Sequence, residues 1–238
     1  MRFLDLTLPT LPENLALDEA LLLEAEAGHG GEILRVWEWP SPAVVLGSGC
    51  RLAEDVEEGA CAADEVPILR RSSGGGTVLL GAGCLLYSVI LNYSRDPALG
   101  EIRSSYRFIL GRIGRALEEG IGPVEQAGIS DLTFEGRKFS GTAQQRKRSS
   151  LLHHGTLLYA FDLTLLPRYL RQPIRQPEYR AGRAHLAFVR NLPLAATELK
   201  RRLRTLWNAI DEMTDWPVEE TRQLAAEKYG SAEWIRRR

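Results

Sequence analysis

Cysteine is scarce in this chain: three residues among 238, Cys50, Cys61 and Cys84, scattered and without a C-x-x-C pair. That argues against both a disulfide framework and a zinc knuckle, and leaves reduced thiols as the default. Long apolar runs are missing too. Nothing approaches the roughly 20 residues of a membrane helix. Met1 leads into Arg2-Phe3-Leu4-Asp5, not into a basic segment followed by an apolar stretch, so a cytoplasmic protein with no membrane association is expected. No excess of positive charge is present either. Thirty Lys and Arg face 31 Asp and Glu, a net charge of -1, which argues against a dedicated nucleic-acid binder. Repeats and low-complexity tracts are absent, and 12 prolines and 22 glycines are ordinary usage, which rules out collagen-like, mucin-like and wholly disordered chains. What is present is a 44% apolar chain long enough to bury a sizeable core.

Residues 12–27 read as an amphipathic helix, opened by Pro12, with Leu15, Ala16, Ala20, Leu22 and Leu23 at helical spacings and Gly28 to Gly31 ending it. Short segments rich in Val, Leu, Ile and Trp follow at 33–39, 43–46, 66–70, 77–80 and 85–91. Their connections are mostly too short for helical crossovers, so much of the pairing should be antiparallel. A second helix spans 106–119, with Phe108, Ile109, Ile113 and Leu117 in one stripe. Extended segments then return at 131–134, 139–143 and 152–160, the first two joined by Glu135-Gly136 and the last two by a basic loop at 145–150. Helices are expected at 164–170, at 197–213 with Thr197 as cap, and after Pro217. The proline-bearing stretch 171–193 is long for a simple connection and suits a functional cover or binding loop. The expectation is a single α+β domain, 1–238, with a mixed, largely antiparallel sheet, helices packed on its faces, and 194–238 as a helical C-terminal portion of that domain.

Three segments carry chemistry. Arg70-Arg71-Ser72-Ser73-Gly74-Gly75-Gly76-Thr77 sits between two strands, where glycines expose backbone N–H groups and two guanidinium forks stand beside them. This suits a phosphate or a carboxylate, although it is neither a P-loop nor a dinucleotide fingerprint, and a glycine hairpin with solvated arginines is the plain alternative. Arg137-Lys138-Phe139-Ser140-Gly141-Thr142-Ala143 places one lysine in a run of small residues, where alternation turns Lys138 and Ser140 to one face and Phe139 to the other. Such a lysine can hold a carboxylate, polarise a carbonyl or stabilise a phosphoryl group, whereas most strand lysines are simply solvated. Asp131 nearby could orient it or hold Mg²⁺. His153-His154 head an apolar strand, but neighbours on a strand point oppositely and cannot easily share a metal ion, which favours a structural role for one of them. A Ser-His-Asp triad is conceivable, without a G-x-S-x-G elbow to support it.

In this order the segments resemble the lipoate-protein ligase A family, within the biotin and lipoyl protein ligase superfamily. The family's R-R-x-S-G-G-G stands at Arg70 to Gly76, its R-K-(I/V)-S-G-(S/T)-A is similar to Arg137 to Ala143, its H-H-G-T-L-L matches His153 to Leu158, and its closing K-Y-x-S-x-E-W matches Lys228 to Trp234. The resemblance implies a biotin/lipoyl ligase-like fold and a two-step reaction. Lipoate and MgATP give lipoyl-adenylate, and a lysine of an acceptor lipoyl domain then attacks the mixed anhydride. The acceptor would be a 2-oxoacid dehydrogenase subunit, a glycine cleavage carrier protein or similar. By matching position, Lys138 would be the catalytic cation, stabilising charge in both steps. Arg70, Ser73, Gly74, Gly75, Gly76 and Thr77 would line the acyl and adenylate channel, with Ser140, Gly141, Thr142, Ala143, Gly155 and Thr156 completing it. Asp131 would lie by the nucleotide phosphates and Mg²⁺, His154 would flank the acyl tunnel, and strand residues around Val44, Val78 and Leu157 would wall it.

The chain departs from the family pattern at Leu80-Gly81-Ala82-Gly83-Cys84, where a His-Asp pair is usual, and at Ser130, where asparagine is usual. It also ends shortly after Trp234, without the accessory C-terminal domain of well-known bacterial ligases, so the expectation is a separate accessory subunit, a self-sufficient single-domain form, or a missing adenylation half-reaction. The rival within the superfamily is an octanoyl or lipoyl transferase working through a cysteine thioester. All three cysteines precede Lys138, and Cys84 lies in a stretch that reads as packed. Biotin ligation is a further relative. From another class, a non-catalytic ligand- or partner-binding module would use Arg146-Lys147-Arg148, a patch that an acidic acceptor domain explains better than nucleic acid does.

Overall fold

The computed structural model describes residues 1–174 and 176–237. Arg175, inside the 171–193 stretch, and Arg238 lie outside the described residues. An eight-stranded sheet carries the structure, built from β1 (Arg2–Asp5), β2 (Ile33–Glu38), β6 (Cys84–Asn92), β7 (Val124–Ala127), β8 (Asp131–Phe134), β9 (Arg137–Arg146), β10 (Ser150–Leu158) and β11 (Asp211–Glu212). Its order is β11-β1-β2-β6-β10-β9-β8-β7, parallel at β11-β1-β2 and antiparallel across the rest. A second sheet of three strands, β3 (Ala43–Leu46), β4 (Ile68–Arg70) and β5 (Val78–Leu80), has β3 in the middle. The mixed, largely antiparallel α+β architecture is therefore the one the sequence indicates.

One face of the large sheet buries Leu34, Tyr87, Val89, Phe139, Leu151 and Leu157 against the helices Ile102–Glu118 and Ala196–Leu206. The opposite face receives α1 (Leu11–Glu26), which starts in a capping box formed by Thr10 and Glu13. This helix is not amphipathic as read. Residues 14–22 are all buried, because the sheet covers one side and the C-terminal segments Val218–Leu224 and Ala225–Tyr229 cover the other. A helix buried all round has no polar stripe to show.

Boundaries shift where local geometry overrides period. The helix expected at 197–213 runs only over Ala196–Leu206, after which Asn208 turns left-handed at φ 48° and the chain re-enters the sheet as β11. Its N-cap is Ala195, without a side-chain cap, and not Thr197. β1 and β11 are too short and β7 too polar to signal themselves by alternation.

Candidate active site

The glycine-rich segment closes over one end of β9 and β10. Gly75 takes φ 84°, and a Cβ there would press on the Arg71 guanidinium at 3.0 Å, so glycine is required for that turn. The two arginines separate. Arg70 is wholly buried and holds the carbonyls of Gly47 (2.9 Å), Cys50 (2.7 Å) and Ile235 (2.9 Å), outside the pocket wall. Arg71 lines the pocket, with its guanidinium on the carbonyls of Val45, Gly74 and Gly76 and its Nε donating to Ser73 Oγ at 3.0 Å. It has no carboxylate in ion-pair range among the described residues, and burial pulls its pKa down to about 10. Its N–H donors go mostly to the turn and to β3, so what it adds to the pocket is chiefly a positive charge with no carboxylate beside it, next to exposed amides.

Lys138 reaches the same pocket by a route that simple alternation misses. β9 carries a bulge against β8 between Leu132 and Thr133, where Leu132 faces Ser140 and Thr133 faces Lys138. The extra residue resets the phase, so Lys138, Gly141 and Ala143 all reach the pocket, while Ser140, expected on the lysine's face, is 1% exposed and outside the lining. Lys138 Nζ pairs with Asp131 Oδ1 at 2.8 Å, and Tyr179 OH donates to Asp131 Oδ2 at 2.6 Å. A Cβ on Gly141 would lie 2.8 Å from Lys138 Nζ, so the glycine makes room for the ammonium. Tyr179 belongs to the 171–193 stretch, which also bonds Arg190 N to Lys138 O at 2.9 Å. That segment covers the lysine strand, in keeping with its reading as a cover.

Both Asp131 oxygens are thus engaged by an ammonium and a phenol, and no group of three metal-binding side chains occurs among the described residues. A lone carboxylate of this kind would hold Mg²⁺ only together with nucleotide phosphates and water, and after releasing one of these partners.

The histidines divide as adjacent strand residues must. His153 is buried between Tyr87 and Tyr106, and burial pulls its pKa down to about 3. His154 lines the pocket, with Nε2 2.6 Å from Ser73 Oγ and Nδ1 3.3 Å from Asp18 Oδ2. Asp18, on α1, is further held by Arg35 NH1 at 2.6 Å and Ser88 Oγ at 2.7 Å. Burial pushes its carboxyl up, but Arg35, His154 and Ser88 outweigh that and the net shift is downward. The neighbouring Glu19 does the parallel job for the C-terminal motif. Its Oε2 is reached by Lys228 Nζ at 2.6 Å and Tyr229 OH at 2.7 Å, and Tyr229 OH also lies 3.0 Å from Ser72 Oγ. Trp234 Nε1 donates to Arg70 O at 2.8 Å. The closing motif therefore braces the glycine turn from behind.

The pocket floor is apolar, from Leu15, Trp37, Val45, Val78, Leu80 and Leu86. Val45, Val78 and Thr156 line it, within the strand regions around Val44, Val78 and Leu157 expected to wall it. Of the residues expected at the site, Gly75, Gly76, Thr77, Asp131, Lys138, Gly141, Thr142, Ala143, His154, Gly155 and Thr156 converge on the pocket, whereas Arg70, Ser73, Gly74 and Ser140 stand outside its lining. Asp18, Ser88 and Tyr179 were not among the expected site residues, and Arg71 was singled out only as one of the guanidinium pair beside the glycine turn.

No thiol lines the pocket. Cys84 is fully buried and burial pushes its thiol well up. Cys61 is 1% exposed in the core. Cys50 donates to Gly75 O at 3.3 Å from behind the turn, and burial raises its pKa as well. The basic loop is also remote. Arg146 sits eight residues along β9 from Lys138, roughly 25 Å at strand rise, and folds onto Tyr93 and the carbonyls of Leu99 and Gly100.

The lipoyl protein ligase A/B catalytic domain model matches residues 10–202, and the chain belongs to that family. It is 32% identical to octanoyltransferase LipM of Carboxydothermus hydrogenoformans, over 98% of this chain and 97% of that protein. It is also 32% identical to a probable lipoate-protein ligase A of Mycoplasma pneumoniae, over 66% of this chain and 45% of that protein. Among solved structures, a bi-partite lipoate protein ligase from Thermoplasma acidophilum superposes with a TM-score of 0.82 at 22% identity, covering 99% of this chain and 95% of that one. A lipoate-protein ligase A bound with ATP superposes at 0.81 with 24% identity, covering 99% and 98%. No described helix is long and apolar enough to cross a membrane.

Proposed function

We propose that this chain joins an octanoyl or lipoyl group to a lysine side chain of a lipoyl-domain protein, with Lys138 as the catalytic cation. The observation that carries the reading is the Lys138 ammonium, cleared by Gly141 and held by Asp131, at the head of an apolar-floored pocket. An eight-carbon chain lies along that floor and its carbonyl oxygen meets the ammonium. As the acceptor amine adds to the carbonyl carbon, negative charge grows on the oxygen, and Lys138 and Arg71 stabilise it.

Octanoyltransferases such as that of Carboxydothermus hydrogenoformans align with this chain over nearly the whole length of both, which favours an acyl group arriving as a carrier thioester over ATP-dependent activation of lipoate. In that reading Cys50 is the one thiol hydrogen-bonded to a pocket-lining residue, and it is the candidate for a thioester intermediate. One observation favours the second reading, ATP-dependent ligation: none of the three thiols reaches the pocket surface. There the adenylate phosphate would sit by Arg71 and the amides of the glycine turn.

Purified protein is incubated with an apo lipoyl domain and either an octanoyl-carrier thioester or octanoate with MgATP. Acyl gain from the thioester, without AMP, is the expected result. AMP release with acylation only from octanoate and MgATP assigns the ligase reading, and Cys50→Ser, which should suppress only a thioester route, separates the two further.

A further inference from the structure

Both chemistries of the reading above end in the same encounter. The acceptor lysine hangs on a four-carbon stem, so its amine meets a carbonyl at Lys138 only when the backbone that carries it rests on the surface around the pocket mouth. Exposed Gly75 and Gly76 form one side of that mouth. The 171–193 cover borders the partly exposed Lys138 on the other. Val189 bridges to Lys138, Tyr179 holds Asp131, and Arg183 Nη1 donates to Gly136 O at 3.1 Å in the turn that leads into β9.

We propose that this cover, with the turn at 128–130 on which it packs, is the docking surface for the acceptor lipoyl domain, and that it takes a domain with apolar and acidic side chains beside its lysine. The proposal rests on the acyl-transfer reading and is common to its thioester and adenylate routes.

Exposed apolar surface is concentrated at this place. Among the described residues five large apolar side chains are exposed, and three belong to these two segments: Ile174 at 76%, Ile129 at 48% and Leu186 at 47%. The segments touch, since a Cβ on Gly128 would lie 3.7 Å from Pro177 Cβ and 3.6 Å from Tyr179 Cε1. One exposed isoleucine means little, but three on adjoining segments beside a reactive lysine are the mark of an interaction site.

Charge points to the sign of the partner. In a chain with a net charge of -1, the described residues of the cover carry Arg171, Arg180, Arg183 and Arg190 against Glu178 alone. Arg180 and Arg183 stack on Phe188 at 4.7 and 5.2 Å and donate to backbone carbonyls, with no carboxylate partner among the described residues. Arg180 is buried and contributes its field, whereas the Arg171 side chain is 48% exposed, only loosely held by Glu57 at 3.4 Å, and within reach of a partner. Such a platform attracts and orients an acidic surface. The other exposed arginines that cluster, Arg103, Arg107, Arg112 and Arg115, lie on the helix Ile102–Glu118. That helix covers the opposite face of the sheet from α1, whose Leu15 and Asp18 line the pocket. A domain docked there would hold its lysine away from Lys138.

The test is acylation of an apo lipoyl domain by the full chain, with whichever octanoyl donor supports wild-type turnover, read as KM for the domain against kcat, with the Kd of the domain measured on the same proteins. Ile174→Asp with Leu186→Asp should raise KM and Kd about tenfold, the size of effect for side chains central to an interface, with kcat and melting temperature little changed. Ile174→Ser with Leu186→Ser, which adds no charge, should raise both a few-fold. Arg171→Glu should raise KM at low salt and flatten its climb with ionic strength. Arg103→Glu with Arg107→Glu, on the far helix, should leave every value at wild type. Unchanged KM and Kd in all the cover variants overturn the docking surface and leave acyl transfer standing. So does a loss confined to the far-helix variant, or one confined to the KM of the donor. A chain that binds the domain through the cover but is inert with both donors overturns acyl transfer alone, and one that neither binds nor acylates the domain overturns both.

Discussion

Asp131 and Asp18 both line the pocket, and each pairs with a cation, but the pairs are built for different work. Lys138 and Asp131 meet at 2.8 Å with the lysine side chain 29% exposed, and the ammonium keeps donors free for a substrate. Arg35 and Asp18 meet at 2.6 Å with the guanidinium wholly buried, and Arg35 spends its remaining reach on Asn14 O, Asn14 Oδ1 and Leu6 O. The first pair holds a charge where it can act on a reacting group. The second fixes α1 to the sheet and gives His154 an ionised partner. The difference lies in burial: removing one partner of the enclosed pair leaves an uncompensated charge, whereas Lys138 is partly exposed and Asp131 would keep the Tyr179 hydroxyl without it.

Substituting each cation is the sharpest way to break that contrast. Arg35→Ala should destabilise the fold by about 3–5 kcal/mol, read from urea unfolding, because Asp18 is left buried and unpaired. Lys138→Ala should change stability by less than about 1 kcal/mol, yet lower turnover at least about a hundredfold, near 2.7 kcal/mol of barrier. Equal effects of the two on stability would remove the distinction.

The two histidines sharpen it through pH. Burial holds His153 neutral with a pKa near 3, so as pH falls from about 6.5 towards 3 the unfolded chain takes up a proton that the folded chain refuses. Stability contributed by the neutral ring is complete above that window and declines within it, by about 2 kcal/mol at pH 5. Urea unfolding at pH 7.5 and 5 should show this loss in wild type, and His153→Gln should lack that component.

Smaller changes probe Lys138 itself. Gly141→Ala puts a methyl 2.8 Å from Nζ, the mobile end of a flexible chain, so the ammonium should swing aside. Turnover should fall about tenfold, one or two kcal/mol of lost charge stabilisation, with the melting temperature nearly unchanged. Tyr179→Phe removes the phenol from Asp131 and should lower kcat a few-fold at unchanged KM.

The sheet and most of its strands were legible because short β-branched runs between turn residues have few other solutions. Lys138 and His154 were legible as pocket residues from their segments. The bulge in β9 was not, since two-residue alternation carries no mark of an inserted residue, and Ser140 was therefore placed on the lysine's face. Asp18 was passed over although a signal existed. Asn14 and Asp18 lie four apart within an apolar helix, and a carboxylate in a helix buried all round needs a partner across the core. Arg70 and Arg71 are equivalent as letters. Only the direction of each side chain, one towards the C-terminal motif and one into the pocket, separates support from site.

The most direct measurement is the mass of the acceptor lysine in an apo lipoyl domain after incubation with an octanoyl donor and either wild-type protein or Lys138→Ala, folded to the same degree. One octanoyl group on that lysine with wild type, and at most a hundredth of the initial rate with the variant, is the outcome expected here. Equal rates, or an unmodified lysine with every donor, would contradict it.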